Sequence, residues 1–363
     1  MKILITGGHY TPALAVIEEL KGHEIVFVGR KYSIESDSTE SPEYKEVRAR
    51  GIRFIPLNTG KINRFFSLGS ILDVLRIFKG LKQAKHIIKN ENPDTVLCFG
   101  SYLAVPIAIQ AWFNKIPLYT HEQTISPGLS NRFISMMAKK VFLSFDKTRR
   151  YFPNSKVILT GNPIRKSVLN YNANGSNIYT KRKVIFITGG SLGSHSINAL
   201  IKIILKKLLE HYFIVHQTGS VKEFTDYDNL ISFKKKLPNN LKHNYLLQEH
   251  FNEDQIGEIY TKADLLVSRA GANTIFEIIA LQKPAVLIPL PWSANKEQQK
   301  QAKFLNAAGV CEIFYQGQNP LKLITIIENV INNLSTYKNN FEKINFLHKK
   351  NAAKKIAKEI LNL

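Results

Sequence analysis

Short apolar runs of four to seven residues, rich in Val, Ile and Phe, alternate along the chain with longer stretches where apolar positions recur every three or four residues. The first spacing fits strands buried on both faces and the second fits helices packed on one side, so the alternation predicts parallel βαβ units. In the first half, strands are predicted at KILIT (2–6), EIVFVG (24–29), RFIPL (53–57), TVLCFG (95–100), PLYTHE (117–122), VFLSF (141–145) and VILTG (157–161). A polar linker, NYNANGSNIYTKR at 170–182, precedes a second series. That series reads KVIFIT (183–188), FIVHQT (213–218), YLLQEH (245–250), LLVSRA (265–270), AVLIPL (285–290) and CEIF (311–314). The fold class is therefore α/β, with two doubly wound, Rossmann-like domains, each presenting its strand carboxyl ends to a ligand. The expected division is 1–165, 166–340 and a lysine-rich stretch, 341–363, whose helical spacing would let it pack back on the first domain.

At 363 residues the chain can bury two cores, and 44% hydrophobic with 21% charged residues excludes a disordered or fibrous protein. Cys98 and Cys311 both lie inside apolar runs, which excludes a disulfide framework or a cysteine-built zinc site and points to a reducing compartment. No run of about 18 apolar residues occurs, and MKILITGGHY closes a short apolar stretch on glycines, so neither a membrane span nor an export signal is expected. The net charge of +22 is shared by both halves, with 24 basic against 13 acidic residues up to Arg165 and 26 against 15 beyond it. This balance favours anionic partners, whether nucleic acid, anionic lipid or phosphorylated substrates, without choosing among them.

Four strand ends run through glycine into a helical stretch: ITGGHYTPALAV (5–16), LCFGSYLAVPIA (97–108), ITGGSLGSHSIN (187–198) and SRAGANTIFEI (268–278). Such turns bring backbone amides and a helix N-terminus to phosphate, although the same turns also serve simply to pack a helix on a strand. In the last, Glu277 is either an acceptor for the two hydroxyls of a ribose or part of an N-terminal cap built on Asn273 or Thr274. His9 closes the first turn, where an imidazole would face a cleft. It is a candidate base, as against a structural histidine. The trio His121, Glu122 and Gln123 at another strand end could be a metal-ligand pair, a base or a hydrogen-bonded structural corner, and its spacing matches no zinc motif. Residues 61–89 hold seven basic residues and one acidic, interleaved with Phe65, Phe66, Leu68, Ile71, Leu72, Leu75 and Phe78. Such a basic amphipathic stretch suits either an anionic bilayer surface or a helix packed on its own sheet.

The ordered set GGHYTPALA, FGSYLAVP, HEQTISPGLSNR, GNPIR, GGSLGS, HQTG, SRAGANTIFE and NKEQQKQA resembles the MurG family, the N-acetylglucosaminyltransferases that make lipid II. The resemblance covers almost the whole chain and is weakest at 30–60, 220–240 and the tail. It implies a GT-B glycosyltransferase whose two domains face a central cleft, with UDP-GlcNAc held mainly by the second. Gly189, Gly190, Ser191 and Gly193 would lie near the donor diphosphate, with Arg165 reaching it from the hinge. Arg269, Gly271, Ala272, Asn273 and Thr274 would follow the nucleotide, Glu277 would bind the uridine ribose, and Gln298 and Gln299 the GlcNAc hydroxyls. Gly7, Gly8, Gly100, Ser101, Tyr102, Thr124 and Asn131 would shape the pocket for lipid I, the undecaprenyl-diphosphate-linked MurNAc-peptide.

The implied reaction is a single inverting displacement at the GlcNAc anomeric carbon by the MurNAc 4-hydroxyl, with His9 as base and Glu122 as the alternative. No obligatory cofactor or metal is expected, because the loop amides, the helix beginning there and Arg165 can stabilise the departing UDP. A peripheral place on the cytoplasmic face of the cell membrane is implied, through 61–89 with Trp112 and Phe113, and nucleic acid is not an expected partner. Three departures from the family pattern stand out: TGGH where GGTGGH is usual, Thr124 for Asn, and Gln301 for Asn. Rival readings are a UDP-GlcNAc 2-epimerase, another glycolipid glycosyltransferase, or a non-catalytic basic membrane or nucleic-acid binding protein of the same fold.

Overall fold

The computed structural model describes residues 1–32, 40–59, 70–169, 178–190, 192–219 and 224–362. They form two compact units, Met1–Arg165 with Lys349–Leu363, and Lys166–His348.

The first unit holds strands β1 (Lys2–Thr6), β2 (Glu24–Gly29), β3 (Arg53–Pro56), β4 (Thr95–Cys98), β5 (Leu118–Glu122), β6 (Lys140–Leu143) and β7 (Val157–Leu159). Between them run helices α1 (Tyr10–Ile17), α2 (Pro42–Ala49), α3 (Ser70–Glu91), α4 (Ala104–Phe113) and α5 (Leu129–Met137). The strands make one parallel sheet in the order β3-β2-β1-β4-β5-β6-β7. The second unit begins with α6 (Lys166–Leu169) and holds β8 (Val184–Thr188), β9 (Phe213–Gln217), β10 (Tyr245–Gln248), β11 (Leu265–Ser268), β12 (Ala285–Leu287) and β13 (Cys311–Ile313). Its other helices are α7 (His195–His211), α8 (Asp226–Lys235), α9 (Asn239–Lys242), α10 (Glu253–Lys262), α11 (Ala272–Leu281), α12 (Glu297–Ala307), α13 (Pro320–Asn332) and α14 (Leu334–Asn339). Its parallel sheet has the order β10-β9-β8-β11-β12-β13. The chain returns to the first unit as α15 (Ala352–Leu361).

All thirteen predicted strands are present, but most end one to three residues early. The residues that leave the ladders, among them Phe99, Gly100, Arg269 and Ala270, form the turns where ligands of such folds sit. In both sheets the order reverses once, between β1 and β4 and between β8 and β11. Chain leaving those neighbouring strands must diverge to opposite sides, which opens a crevice at their carboxyl ends. The four glycine turns follow just these four strands.

The strands are continuous apolar runs because each sheet is covered on both faces. In the first unit, α3, α4 and α5 pack on one face against Val96, Cys98, Val141 and Leu143. On the other face α1 and α15 pack with Ile3, Ile5 and Phe27. Helix α15 buries Ala352, Ile356, Ala357 and Ile360 and turns Lys354, Lys355 and Lys358 outward, an apolar stripe at helical spacing. The tail is shorter as a helix than its spacing predicts: Asn340–Lys343 and Asn345–Leu347 are single 3-10 turns, and residues up to His348 belong to the second unit.

Because Ile356 is fully buried in the α1 face, Ile356→Ala should destabilise the first unit by about 2–5 kcal/mol. Amide exchange of the β1 strand measures it, and a loss below about 0.5 kcal/mol would mean that α15 is only loosely laid on the sheet.

Candidate functional site

In the first unit the β1 and β4 turns touch. Gly7 has φ +145°, and a Cβ there would fall 2.7 Å from the Phe99 carbonyl carbon; one on Gly8 would fall 2.7 Å from Ser101 Cβ. Only glycine permits this approach. His9 is the N-cap of α1, and its Nδ1 lies 2.9 Å from the Phe99 carbonyl oxygen. A carbonyl only accepts, so Nδ1 carries the proton and Nε2 keeps the lone pair, the tautomer a base requires. Gly100 and Ser101 both adopt left-handed backbone, φ +70° and +69°. For a serine this is a strained conformation, of a kind that gathers at functional sites.

Beneath Gly100 lies a buried polar corner. Glu122, 3% exposed, accepts from the Thr124 amide (2.8 Å) and hydroxyl (2.7 Å) with one oxygen, and from Asn131 Nδ2 (2.9 Å) and the Gly128 amide (3.3 Å) with the other. Asn131 also donates to the His121 carbonyl and accepts from Thr120 Oγ1. Both oxygens of Glu122 thus take part in holding Thr124 and Asn131 in place. His121 is equally structural: burial pushes its imidazole down to about 3, and Nε2 faces Ser144 Oγ at 3.1 Å. Gln123 completes the trio with a buried carboxamide oxygen that has no partner. Arg165 pairs with Glu46 of α2 (3.4 Å), so the phosphate role the resemblance implies would require that pair to be exchanged.

In the second unit the glycines again mark close approach. A Cβ on Gly193, φ +81°, would stand 2.0 Å from the Thr218 carbonyl oxygen, and one on Gly189 2.3 Å from the Ser194 amide. Ser191 lies outside the described residues. Ser194 is the N-cap of α7 but does not cap it with its side chain. Its hydroxyl instead accepts from Arg269 Nη2 (2.8 Å), which also donates to Ser196 Oγ (2.6 Å) and Gln316 Oε1 (3.1 Å), while Nη1 donates to the Ile288 carbonyl (3.0 Å). Arg269 is 8% exposed, and burial pushes its guanidinium down to about 10, which still leaves it charged at neutral pH. Among the described residues no carboxylate lies within salt-bridge distance of it. A buried cation with only neutral acceptors, beside an uncapped helix start, makes an electropositive seat for an anion.

Helix α11 is also uncapped: Gly271 is its N-cap with no side-chain bond, so neither Asn273 nor Thr274 makes the cap that sequence alone left open. Asn273 Oδ1 is buried without a partner, one turn before Glu277. Glu277 is buried and accepts from Tyr260 Oη at 2.5 Å, a positioning contact from α10 that sequence reading missed because Tyr260 lies 17 residues away on another helix. Gln298 accepts from the Leu290 amide (3.0 Å), and Gln299 Nε2 lies 3.4 Å from the Pro291 carbonyl. Both follow Asn295 and Lys296, two successive left-handed non-glycine residues (φ +53° and +54°) with no signature in the sequence. Gln301 ties α12 to the β11 turn through Ala270. The chain's single Asp-x-Asp triplet, Asp226-Tyr227-Asp228, had no place in the expectation of a cation-free reaction. The structure gives its first carboxylate to His195 Nδ1 (2.8 Å) and Asn198 Nδ2 (2.8 Å).

Residues 6–143 match the profile described as glycosyltransferase family 28 N-terminal domain, and residues 184–360 that of the family 28 C-terminal domain. A curated protein from Clostridium botulinum strain Loch Maree is 36% identical over 319 residues, 85% of this chain and 82% of its own. It is called UDP-N-acetylglucosamine--N-acetylmuramyl-(pentapeptide) pyrophosphoryl-undecaprenol N-acetylglucosamine transferase. The chain belongs to glycosyltransferase family 28. As a family 28 member it is a hexosyltransferase of GT-B fold. The crystal structure of Acinetobacter baumannii MurG superimposes with a TM-score of 0.69 at 25% identity, covering 100% of this chain and 99% of that one. A UDP-GlcNAc 2-epimerase from Neisseria meningitidis, solved bound to UDP-GlcNAc, gives 0.65 at 18% identity over 100% of both chains, a likeness of fold alone.

The Glu122 corner can be separated from chemistry. Glu122→Gln in this family 28 chain places an NH2 against donors, so it should lower the unfolding free energy by about 1–3 kcal/mol and loosen Asn131. A fully stable variant with collapsed turnover would instead return Glu122 to the role of base.

Proposed function

We propose that this chain transfers GlcNAc from UDP-GlcNAc to the MurNAc 4-hydroxyl of lipid I, inverting the anomeric carbon and giving lipid II. The observation that carries the reading is Arg269, a buried cation with neutral acceptors beside the uncapped starts of α7 and α11. That arrangement suits the diphosphate of a nucleotide sugar, and the names of the relatives supply the sugar and the acceptor. In the proposed step His9 Nε2 takes the 4-hydroxyl proton as the oxygen bonds to the anomeric carbon, and the bond from that carbon to the UDP oxygen breaks. The negative charge that gathers on UDP meets Arg269, the α7 N-terminus, the amides of Gly189, Gly190 and Gly193, and Arg165 once released from Glu46. Asn273 Oδ1 and Glu277 take the nucleotide, with Tyr260 holding Glu277, and Gln298 and Gln299 take the sugar. The glycine turns of the first unit, backed by Asn131 and Thr124, take the acceptor diphosphate. The epimerase reading has only fold in its favour.

The same reading makes the protein peripheral on the cytoplasmic face of the membrane. Among the described residues no helix is long and apolar enough to cross a bilayer. Residues 61–69 of the basic stretch, and the side chains of 70–77, lie outside the described residues. Phe78 on α3 and Trp112 and Phe113 at the end of α4 are exposed, on neighbouring helices of one layer, and Lys82 and Lys85 of α3 turn outward.

Pure protein incubated with UDP-GlcNAc and a lipid I analogue should yield the disaccharide, and its absence would remove the reading. His9→Ala should cut turnover by about 10² to 10⁴ and leave UDP affinity intact, while Glu277→Ala should weaken UDP and UDP-GlcNAc together by roughly 2–4 kcal/mol. Turnover within about threefold of wild type would take His9 out of the chemistry. Liposome sedimentation should rise with anionic lipid and fall with salt, since the Debye length shrinks from about 8 Å at 0.15 M to about 3 Å at 1 M. Indifference to both would refute the electrostatic attachment.

A further inference from the structure

A cavity of about 420 Å³ opens in the first unit beyond the carboxyl ends of β2 and β3, next to the β4 turn. Arg30, Lys31 and Lys79 line it with Tyr102 and Leu57, and among the described residues no acidic one belongs to its lining.

The wall is built, not incidental. Ser41 Oγ donates to the Arg30 carbonyl (2.6 Å), the Ser41 amide donates to the Lys31 carbonyl (2.8 Å), and the buried Glu43 carboxyl accepts the Arg30 amide. The Arg30 guanidinium lies 4.9 Å over the Tyr102 ring and donates to its hydroxyl. On the far side Gln83 of α3 clamps the chain after β3, donating to the Pro56 carbonyl (2.7 Å) and accepting from the Asn58 amide (3.2 Å). Arg30 is thus held over the Tyr102 ring by a scaffold that spends its Glu43 carboxyl on backbone, and among the described residues no carboxylate faces the cavity.

We infer that this cavity is a subsite for the carboxylates of the peptide carried by the acceptor. The inference rests on the proposed function: Tyr102 joins the cavity to the Gly100–Ser101 turn, so an acceptor whose diphosphate lies on that turn extends directly into it. Three cations with Tyr and Leu walls suit a peptide, whose carboxylates need charge and whose stems need apolar surface, and the volume is that of a small-ligand pocket, about 300–1,000 Å³. The diphosphate of the same acceptor is the other anion that could enter.

The test uses the full chain and two lipid I analogues, one with the whole peptide and one with its carboxylates amidated. The double variant K31A/K79A should raise the acceptor KM about tenfold for the first and leave the second unchanged, with donor KM and UDP affinity as in wild type. An equal rise for both analogues would place the diphosphate there and overturn the inference, as would no rise for either. If K31A/K79A loses UDP affinity, the single variants Lys31→Gln and Lys79→Gln are read in the same way. If the wild-type protein turns over neither analogue, the proposed function fails first. The cavity then stands or falls on calorimetric titration of the two analogues, where equal affinities would reject it.

Discussion

The reversal of strand order in each parallel sheet is the constraint on which everything else in this molecule depends. Where β1 meets β4, and β8 meets β11, neighbouring strands send their chains to opposite sides, so the turns leaving them crowd one another at a single crevice. The crowding is severe enough to dictate sequence. Gly7 lies against the Phe99 backbone and Gly193 against Thr218, and any Cβ would need space already filled by main chain. The backbone thereby brought to the surface carries unsatisfied amides, and the helices that follow start without side-chain caps. Phosphate-binding capacity is in that sense a by-product of topology, made specific by the side chains placed around it.

Those side chains divide by whether their partners satisfy them. Glu122 has donors on both oxygens, so it is spent on shape. Arg269 has acceptors for its hydrogen-bonding groups but no counter-charge, so it is satisfied geometrically and left unbalanced electrostatically. Burying a cation in that state is costly unless an anion completes it, which makes Arg269 the more telling residue of the two. The same test separates His9 from His121. One has a ring nitrogen committed to a carbonyl and the other left as acceptor, while the second is buried until its protonation is suppressed.

The thirteen strands and four glycine turns were legible in the sequence because both are written locally, as apolar runs and as residues no other side chain can replace. The polar linker at 170–182 was legible as a change in composition. What escaped depends on contacts between distant segments. Nothing around Glu277 announces Tyr260, and nothing in NKEQQKQA announces that Asn295 and Lys296 turn left-handed. Glu122 and His9 looked alike as candidate bases at strand ends, since sequence does not show that Asn131 and Gly128 close over one of them. Arg165 shows the converse case, a side chain whose Glu46 partner no feature of the sequence announces.

The short first turn gives these observations a common direction. The resemblance to the GGTGGH pattern implies that TGGH offers fewer backbone amides, so an acceptor diphosphate bound as proposed would lose part of its neutral hydrogen bonding. Charge is the available substitute, because a charge-assisted contact is worth roughly twice a neutral one. The first unit carries that charge nearby and in fixed positions: Arg30 is anchored through its backbone by Ser41 and Glu43 and through its side chain by Tyr102. Fixing the cation beforehand matters as much as its sign, since a free lysine or arginine gives up much of its gain in lost rotamer freedom. An acceptor held by few amides, an anchored Arg30 and the neighbouring lysines would be recognised more by where its negative groups lie than by the fit of one phosphate, and its affinity would depend correspondingly on salt.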